Sequence, residues 1–175
     1  IARANSGGVG IVGGVAYART GLDVHALVTD YAADFADQTE IVATGEAGLT
    51  GTVVGMNFGG GNFAAALQAG WLTSNREIIA RASGDFGGTV DGGLDVSALR
   101  RDKLIGISVT AQEANAAVGI GGNVLQTGGR TLAEVLVTED LMINGALTAR
   151  AKDESQAANI AIGASTGSGS FSLVG

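Results

Sequence analysis

The sequence contains no cysteine and no proline, and it is poor in aromatic residues. The absence of cysteine excludes a disulfide scaffold and thiol chemistry. The absence of proline is typical of a chain whose backbone amides lie mostly in sheet ladders, because proline cannot donate to one. Aromatic residues make up 5% of the chain and apolar residues 46%, so we expect a core of valine, isoleucine, leucine and alanine.

Positive charge and long apolar runs are also scarce. The 10 basic residues are outnumbered by 17 acidic ones, and the formal net charge is −7. Binding to nucleic acid needs clustered lysine and arginine, so a nucleic-acid partner is not expected. The densest basic stretch, residues 100–103, contains Asp102 and is interpreted as a solvated turn. No stretch approaches about 18 uninterrupted apolar residues, so no membrane helix is predicted.

An alternating apolar segment occurs twice. When the chain is shifted by 109 positions without gaps, residues 9–29 and 118–138 share eight identities, whereas about two are expected by chance. A third, partial copy begins at Val54. The sequence therefore predicts an array of repeated units.

A second repeated pattern consists of an apolar residue, a polar residue, an alanine and, four positions later, an aspartate. It starts at Val24, Val96 and Leu147. Period-two patterning predicts strands with one buried face. The aspartates, Asp30, Asp102 and Asp153, are predicted at turns, because an aspartate side chain bonds nearby backbone amides.

Short strands separated by Gly, Asn, Asp or Ser are predicted along the whole chain. Residues 63–72 fit both a strand and a helix face, and the neighbouring repeats favour the strand. Residues 31–40 are acidic and lack strand patterning, so they are interpreted as an irregular insert. The predicted strands are 8–19, 22–29, 41–43, 52–58, 63–72, 77–82, 94–99, 104–111, 117–125, 132–137, 141–143, 146–151, 158–164 and 170–174.

Stacked rungs are the arrangement that this pattern favours. Equivalent side chains in neighbouring rungs lie about 4.8 Å apart, which suits small and β-branched interior residues. The sequence predicts an all-β fold, a parallel β-helix, with residues 1–175 as a single segment. Rungs of roughly 20 residues would give about nine turns and a rod near 40 Å long. The residues predicted to face inward are Val9, Ile11, Val24, Val96, Ala98, Val118, Ile120 and Leu147.

Four stretches carry a family resemblance: residues 117–124, 130–135, 145–155 and 160–163. Together they resemble the repeats of large secreted bacterial exoproteins, the haemagglutinin-like and leukotoxin-like adhesins exported by autotransporter or two-partner routes. The resemblance covers residues 94–175 and residues 8–30, whereas residues 31–92 depart from it. It implies a right-handed β-helix stalk, an extracellular or cell-surface location and no catalytic residue. A second resemblance, of Asn159–Gly163 to the head repeat of trimeric adhesins, rests on one copy.

Few residues suggest chemistry. His25, the single histidine, follows Asp23 at a spacing that puts both on the outer face of one strand, but no partnered nucleophile accompanies them. Asp85, Asp91 and Asp95 lie near paired glycines, yet the glycine–aspartate nonapeptide of calcium-binding β-rolls is incomplete. The glycines of residues 8–13 match a dinucleotide fingerprint in letters only, because no strand–helix unit surrounds them. We therefore predict no catalytic, cofactor-binding or metal-binding residue.

The function expected from the sequence is a non-catalytic structural or adhesive stalk segment of an extracellular bacterial fibre. The alternative is a polysaccharide-processing β-helix enzyme or a tailspike-like glycan-binding protein. The chain begins at Ile1 and ends within a strand pattern, so we expect a segment of a longer array. Expected partners are neighbouring repeats or identical chains end to end, together with host or matrix glycans or proteins. Membrane insertion is not expected.

Overall fold

The computed structural model describes most of the chain. The backbone is described for residues 2–4, 8–31, 33–58, 61–85, 87–138, 140–167 and 169–174, and the side chains for the same ranges without 2–4 and 169–174. This described part contains twelve strands and no helix. The strands are β1 (Ala2–Ala4), β2 (Val9–Thr20), β3 (Val24–Thr29), β4 (Thr39–Phe58), β5 (Phe63–Gly84), β6 (Gly88–Val90), β7 (Leu94–Glu113), β8 (Ala116–Val137), β9 (Leu141–Ile143), β10 (Leu147–Asp153), β11 (Gln156–Thr166) and β12 (Gly169–Val174).

All strand pairs are parallel and repeat at a nearly constant interval. Val9 pairs with Phe63, and Phe63 pairs with Ala116, at separations of 54 and 53 residues. Sheet A has the order β1-β4-β7-β10, and β11 also pairs with β7; sheet B has the order β12-β8-β5-β2, and β3 also pairs with β5. Strands β6 and β9 form the small sheet C. The chain therefore winds in stacked coils, an arrangement consistent with a β-solenoid.

The coils are longer than the sequence predicted. One coil takes 53 to 55 residues instead of roughly 20, because pairs of predicted short strands join into single strands of 20 to 22 residues. Residues 63–72 are strand, as predicted, and continue through 77–82 within β5. The 109-residue repeat is displaced by two positions, because Ile11 pairs with Ala65 and Ala65 with Val118. An even displacement leaves each residue on the same face of its sheet.

Residues 33–38 lie on the third side of the first coil. Phe35 forms an isolated parallel bridge with Val90 of β6, and its backbone N–H donates to the carbonyl of Thr89 at 2.7 Å. The segment interpreted as an insert therefore occupies the place that β6 and β9 take in the following coils.

An apolar core fills the part of the coil next to this third side. It consists of Ile41, Ala43, Ile78, Ala80, Ala82, Leu94, Val96 and Ala98, with Val24 and Ala26 packed against it. Val96 and Ala98 are buried, as predicted. The core lies between sheets A and B. Inward residues alternate with outward ones along every long strand, so one face of each sheet contacts the core.

Several other inward predictions were wrong. Val9 and Ile11 are 65% and 66% exposed, and Ile120 lies on the same outer face of sheet B together with Val118. The physical reason for the exposure of Val9, Ile11 and Ile120 is that the interior between the sheets is narrow here, so the small residues between these apolar ones face inward. Leu147 pairs with buried Leu94 and so lies on the inward side, as predicted, but it is 56% exposed because it lies on the last strand of its sheet.

The valine-x-alanine pattern does not mark one equivalent position. Val24 lies in sheet B beside Ile78, whereas Val96 lies in sheet A. Asp30 has a positive φ of 52° directly after β3, and Asp153 ends β10, so both lie at the predicted turns. Asp102 was predicted at a turn but lies buried in the middle of β7.

Candidate functional site

The outer face of sheet B carries a continuous group of exposed apolar side chains. They project from three neighbouring strands, β2, β5 and β8, which pair in register. Val15 is 82% exposed and Trp71 47% exposed. We call this surface the apolar face; its members are Val9, Ile11, Val15, Tyr17, Phe63, Leu67, Trp71, Ile120 and Val124.

Narrow spacing between the sheets directs these large side chains outward. Most inward positions of the same strands are glycine or alanine, and Val12 and Leu72 are buried exceptions. Two amides, one from each sheet, fit over a glycine of the facing sheet. A Cβ added to Gly55 would lie 1.7 Å from Nε2 of Gln68, and one added to Gly119 would lie 2.3 Å from Nε2 of Gln112. Because a bulky side chain at these glycine contacts would clash, most of the large apolar residues of these strands occupy the alternate positions on the solvent side.

The half of the coil that bears the apolar face is nearly free of charged residues; Arg3 of β1 and Glu113 at the end of β7 are the exceptions in its strands. It comprises residues 9–18, 47–58, 63–72, 104–112, 116–125 and 157–166, and we call it the uncharged half. Its interior is mixed: Asn57, Gln68, Ser108, Thr110 and Gln112 are buried together with apolar side chains such as Val12, Val53, Leu72 and Leu104. Polar side chains thus lie inside while large apolar ones face solvent, and a large exposed apolar patch marks an interaction surface.

A shallow groove runs over the smallest residues of the apolar face. Its volume is about 730 Å³, and its floor includes Ala69 and Gly122. Val15, Trp71 and Val124 border it. The groove gives the otherwise flat face a shape into which an extended ligand or a ridge of a partner fits.

A second groove, of about 400 Å³, begins where the apolar face ends. Tyr17 and Trp71 form its apolar side, and the next outward positions on the same strands are Arg19 and Thr73. Gln126, Asn75 and Gly128 complete its lining. This groove combines two aromatic rings with a cation and two amides.

A buried ion cluster lies in the middle of the coil. Asp102 on β7 accepts hydrogen bonds from Nη1 of Arg76 at 2.9 Å and from Nε of Arg100 at 2.7 Å. The hydroxyl of Ser74 donates to the same carboxylate at 2.5 Å. Burial raises the pKa of Asp102, but the hydrogen bonds from Ser74 and Arg100 outweigh it and hold the pKa below its usual value. Arg100 and Asp102 were predicted in a solvated turn, which was wrong.

Room for this cluster comes from glycines in the facing strands. A Cβ added to Gly45 would lie 2.9 Å from Nη2 of Arg76. Gly129 has a φ of +103°, and a Cβ there would lie 2.0 Å from the carbonyl oxygen of Arg76. The cluster is enclosed on both sides, and Asp153 lies 3.8 Å from Arg100, so two carboxylates balance the two guanidinium groups. The cluster is therefore part of the interior and is not open to a ligand.

The outer face of sheet A bears a ladder of exposed charges. Arg101 lies between Glu46 and Glu154, at 3.0 Å and 2.8 Å, and Lys152 also pairs with Glu154. Glu46, Arg101 and Glu154 border a cleft of about 740 Å³. The hydrogen bond from Arg101, followed by that from Lys152, lowers the pKa of Glu154 to about 2. Glu154 is therefore ionised at neutral pH and cannot serve as a proton donor there.

Asp23 and His25 both contact Glu77 of the neighbouring strand. Oδ1 of Asp23 accepts the backbone N–H of Glu77 at 2.6 Å, and Nε2 of His25 lies 4.0 Å from the Glu77 carboxylate. All three side chains are exposed. The arrangement links adjacent strands on the surface and places no nucleophile beside the histidine.

The aspartates considered for calcium are distributed over separate corners of the coil. Asp85 accepts a hydrogen bond from the hydroxyl of Thr138 at 2.8 Å, and Asp91 accepts one from the amide of Asn144 at 2.7 Å. Each contact joins one coil to the next. Among the described residues, no three carboxylate, imidazole or thiol groups gather to hold a metal ion.

Sequence reasoning missed both the apolar face and the groove beside it. The signal that would have found them is the alternation of large apolar residues with glycine and alanine in residues 9–18 and 63–72. Comparison of the chain with protein-family models, curated proteins and solved structures gave no match. In the described part of the chain, no helix has the length and apolar character needed to cross a membrane.

Proposed function

We propose that the chain is a structural and adhesive segment of an extracellular bacterial surface protein or fibre. In this proposal the stacked coils form a right-handed parallel β-helix that serves as a rod, and its side presents a binding surface. Parallel strand pairing at sequence intervals of 53 to 55 residues supports the stacked coils of this proposal most directly. Right-handed winding is the expected hand, because connections between parallel strands of one sheet are right-handed in about 98% of cases.

The observation that carries the adhesive role is the apolar face. Its exposed aliphatic and aromatic side chains span three strands without an intervening charge, and they contribute nothing to the buried core of their own coil. Leaving such a patch in water costs roughly 25 cal/mol per Å² relative to burying it against a partner. A surface of this kind supports attachment to another surface better than it supports solubility.

Side-to-side attachment and end-to-end continuation use different parts of the segment. The backbone edges of β2 and β3 on one side, and of β10 and β11 on the other, have no partner strand among the described residues. Such edges template further pairing. We propose that they are covered by neighbouring repeats or by identical chains, which leaves the apolar face free along the rod.

A polysaccharide-processing enzyme is the second candidate, and the cleft between Glu46 and Glu154 is what favours it. Two carboxylates flanking a cleft are the arrangement of a glycoside hydrolase, which needs one of them protonated as a general acid. The lowered pKa of Glu154 and its ion pairs with Arg101 and Lys152 oppose that role. The charge ladder instead suits a structural role across three coils.

Adhesion of coated beads separates the two candidates. Beads carrying the protein are expected to bind bacterial-host cell layers and extracellular-matrix films, and the Leu67→Glu variant is expected to reduce binding several-fold. Leu67 lies at the centre of the apolar face and is 49% exposed, so the variant should fold normally. Val42→Glu, a matched control at 51% exposure on the opposite sheet, should bind like the unmodified protein.

A second measurement addresses catalysis. Incubation with pectin, alginate and hyaluronan should release no reducing ends. Release that disappears in Glu154→Gln would establish the enzyme and overturn the proposal. Bead binding that is equal for Leu67→Glu and the unmodified protein would show that the apolar face is not the adhesive surface.

A further inference from the structure

The groove at the end of the apolar face has the composition of a sugar-binding site. Tyr17 and Trp71 occupy directly paired positions of β2 and β5, so their side chains project from points about 4.8 Å apart. Tyr17 is 67% exposed, and the indole N–H of Trp71 donates to Oγ1 of Thr73 at 2.9 Å. That bond fixes the orientation of the indole and leaves its face open.

Neither ring is covered by another aromatic side chain that the structure describes. Among the described residues, the aromatic pair is formed by Tyr31 and Phe35, whose ring centroids lie 5.9 Å apart at a different corner. The negative face of an aromatic ring attracts polarised C–H groups as well as cations. A pyranose ring presents such a row of axial C–H groups, so two adjacent open rings form a platform for one sugar unit.

Hydrogen-bonding groups border the platform on one side. Arg19 is two positions beyond Tyr17 on β2, and Gln126 pairs with Thr73 on the next strand. Asn75 lies in the following column. Arg19 forms no ion pair with any residue in the described ranges, and no carboxylate lines the groove. The groove thus offers one free guanidinium and two amides next to the aromatic platform.

We propose that this groove binds an acidic glycan, with a pyranose ring on Tyr17 and Trp71 and its carboxylate on Arg19. Arginine and a carboxylate form charge-assisted, bidentate hydrogen bonds. The amides of Asn75 and Gln126 donate to and accept from the sugar hydroxyls. The proposal rests on the proposed adhesive function and assigns it a ligand class.

Fluorescence gives a direct test, because Trp71 is the single tryptophan of the chain. Hexagalacturonate and sialyllactose serve as acidic probes, with maltohexaose and lactose as their neutral counterparts. At least one acidic probe should shift or quench the emission of Trp71 in a saturable manner, and its neutral counterpart should bind at least about tenfold more weakly. No saturable change with either acidic probe up to about 10 mM would overturn the proposal.

Two variants test the assigned contacts, with affinity measured by calorimetry. Arg19→Gln should weaken the acidic probe about tenfold and leave the neutral one unchanged, since it removes the charge-assisted contact. Trp71→Ala should weaken both by about tenfold or more. Phe63→Ala is the matched control: Phe63 is an exposed aromatic residue on the same strand, eight positions from Trp71. Loss of affinity in the control, or its retention in Trp71→Ala, would contradict the assignment.

Bead adhesion distinguishes this proposal from the function on which it rests. Beads carrying Trp71→Ala should adhere less to surfaces coated with polygalacturonate. If the unmodified protein and the variant adhere equally, the adhesive function stands and the glycan site is wrong. If unmodified beads adhere to no cell, matrix or glycan surface while the probes still bind in solution, the groove stands and the adhesive function is wrong.

Discussion

Nη1 of Arg76 lies 2.9 Å from Oδ1 of Asp102, and both side chains are about 2% exposed or less. The contact joins the middle of β5 to the middle of β7, across the interior of one coil. Arg100 approaches the same carboxylate from its own strand. One buried anion therefore serves two buried cations at the point where the apolar core ends and the mixed polar and apolar interior begins.

Asp102→Asn should destabilise the protein strongly. The variant keeps the shape of the side chain but, among the described residues, leaves Arg76 without a counter-charge and Arg100 with Asp153 alone, at 3.8 Å; a loss of this kind typically costs about 3–5 kcal/mol. The free energy of unfolding measured in urea gives the value. Glu46→Gln, which breaks an exposed pair with Arg101, should cost about 0–1 kcal/mol. Equal effects of the two changes would mean that the cluster is not buried.

The same carboxylate should make stability depend on acidic pH. The pKa of Asp102 is lower in the folded protein than in the unfolded chain, where it is about 3.9. Between the two values the unfolded chain binds more protons, so stability is fully present above about pH 4 and decreases as pH falls through the folded pKa. Urea unfolding from pH 6 to pH 2 should show this decrease.

The pKa of Glu154 is also lowered, to about 2. High salt and the Asp102→Asn variant distinguish its contribution to the pH dependence of stability from that of Asp102. Glu154 belongs to an exposed ladder, and high salt screens exposed ion pairs more than buried ones. The decrease in stability at low pH should therefore persist at 1 M NaCl. It should flatten in Asp102→Asn, and an unchanged pH profile in that variant would contradict the assignment.

Burial at Val96 and exposure at Val15 give a matched test of which side chains face inward. Val96 is 0% exposed and Val15 is 82% exposed. Val96→Asp should unfold the protein or destabilise it by several kcal/mol, because an unpaired carboxylate is placed in the core. Val15→Asp should change stability by about 0.5 kcal/mol or less. Similar tolerance at both positions, measured by thermal unfolding, would contradict the inward assignment of Val96 on sheet A or the outward assignment of Val15 on sheet B.

Two glycines make a test of the backbone. Gly129 has a φ of +103° and faces the carbonyl oxygen of Arg76, whereas Gly48 has no atom within 4 Å of an added Cβ. Gly129→Ala should therefore lose about 1–3 kcal/mol through backbone strain. Gly48→Ala should be neutral or slightly stabilising, since it reduces the freedom of the unfolded chain. If Gly129→Ala leaves stability unchanged, the backbone of β8 does not adopt a positive φ at this position.

Strands, parallel stacking and an aliphatic core could be predicted from period-two alternation and the lack of proline. Coil length could not, because polar residues such as Asn75, Arg100 and Asp102 were interpreted as breaks between strands. In the structure all three lie in mid-strand: Arg100 and Asp102 belong to the buried ion cluster, and Asn75 is exposed. A single strand's pattern does not reveal whether a polar residue ends the strand or meets a partner 26 residues away.

The same limit explains why the apolar face was assigned to the interior. Alternation separates residues into two faces but does not say which face is buried. Apolar residues at Ile11 and Val15 suggested the inward face. Which face is buried depends on the distance between the two sheets. That distance is set by contacts between facing strands, such as the contact of Gly55 with Gln68. Tyr17 and Trp71 are 54 residues apart in the sequence. Placing them in one groove requires knowing the coil length, which could not be predicted.

Association through the coil ends can be separated from association through the apolar face. Leu147 continues the inward column of Leu94 on an edge strand, and Val15 lies on the side of the rod. If identical chains stack end to end, Leu147→Lys should lower the sedimentation coefficient at high concentration, because a charge then faces the next coil. The lysine stem can reach solvent, so the fold should survive, as circular dichroism would verify. Val15→Lys, the side-face control, should leave end-to-end growth unchanged.

Head-to-tail contacts do not close, so the unmodified protein should form a concentration-dependent series of oligomers instead of one size. A single monomeric species at every concentration, or a series abolished by Val15→Lys and unaffected by Leu147→Lys, would contradict stacking through the ends.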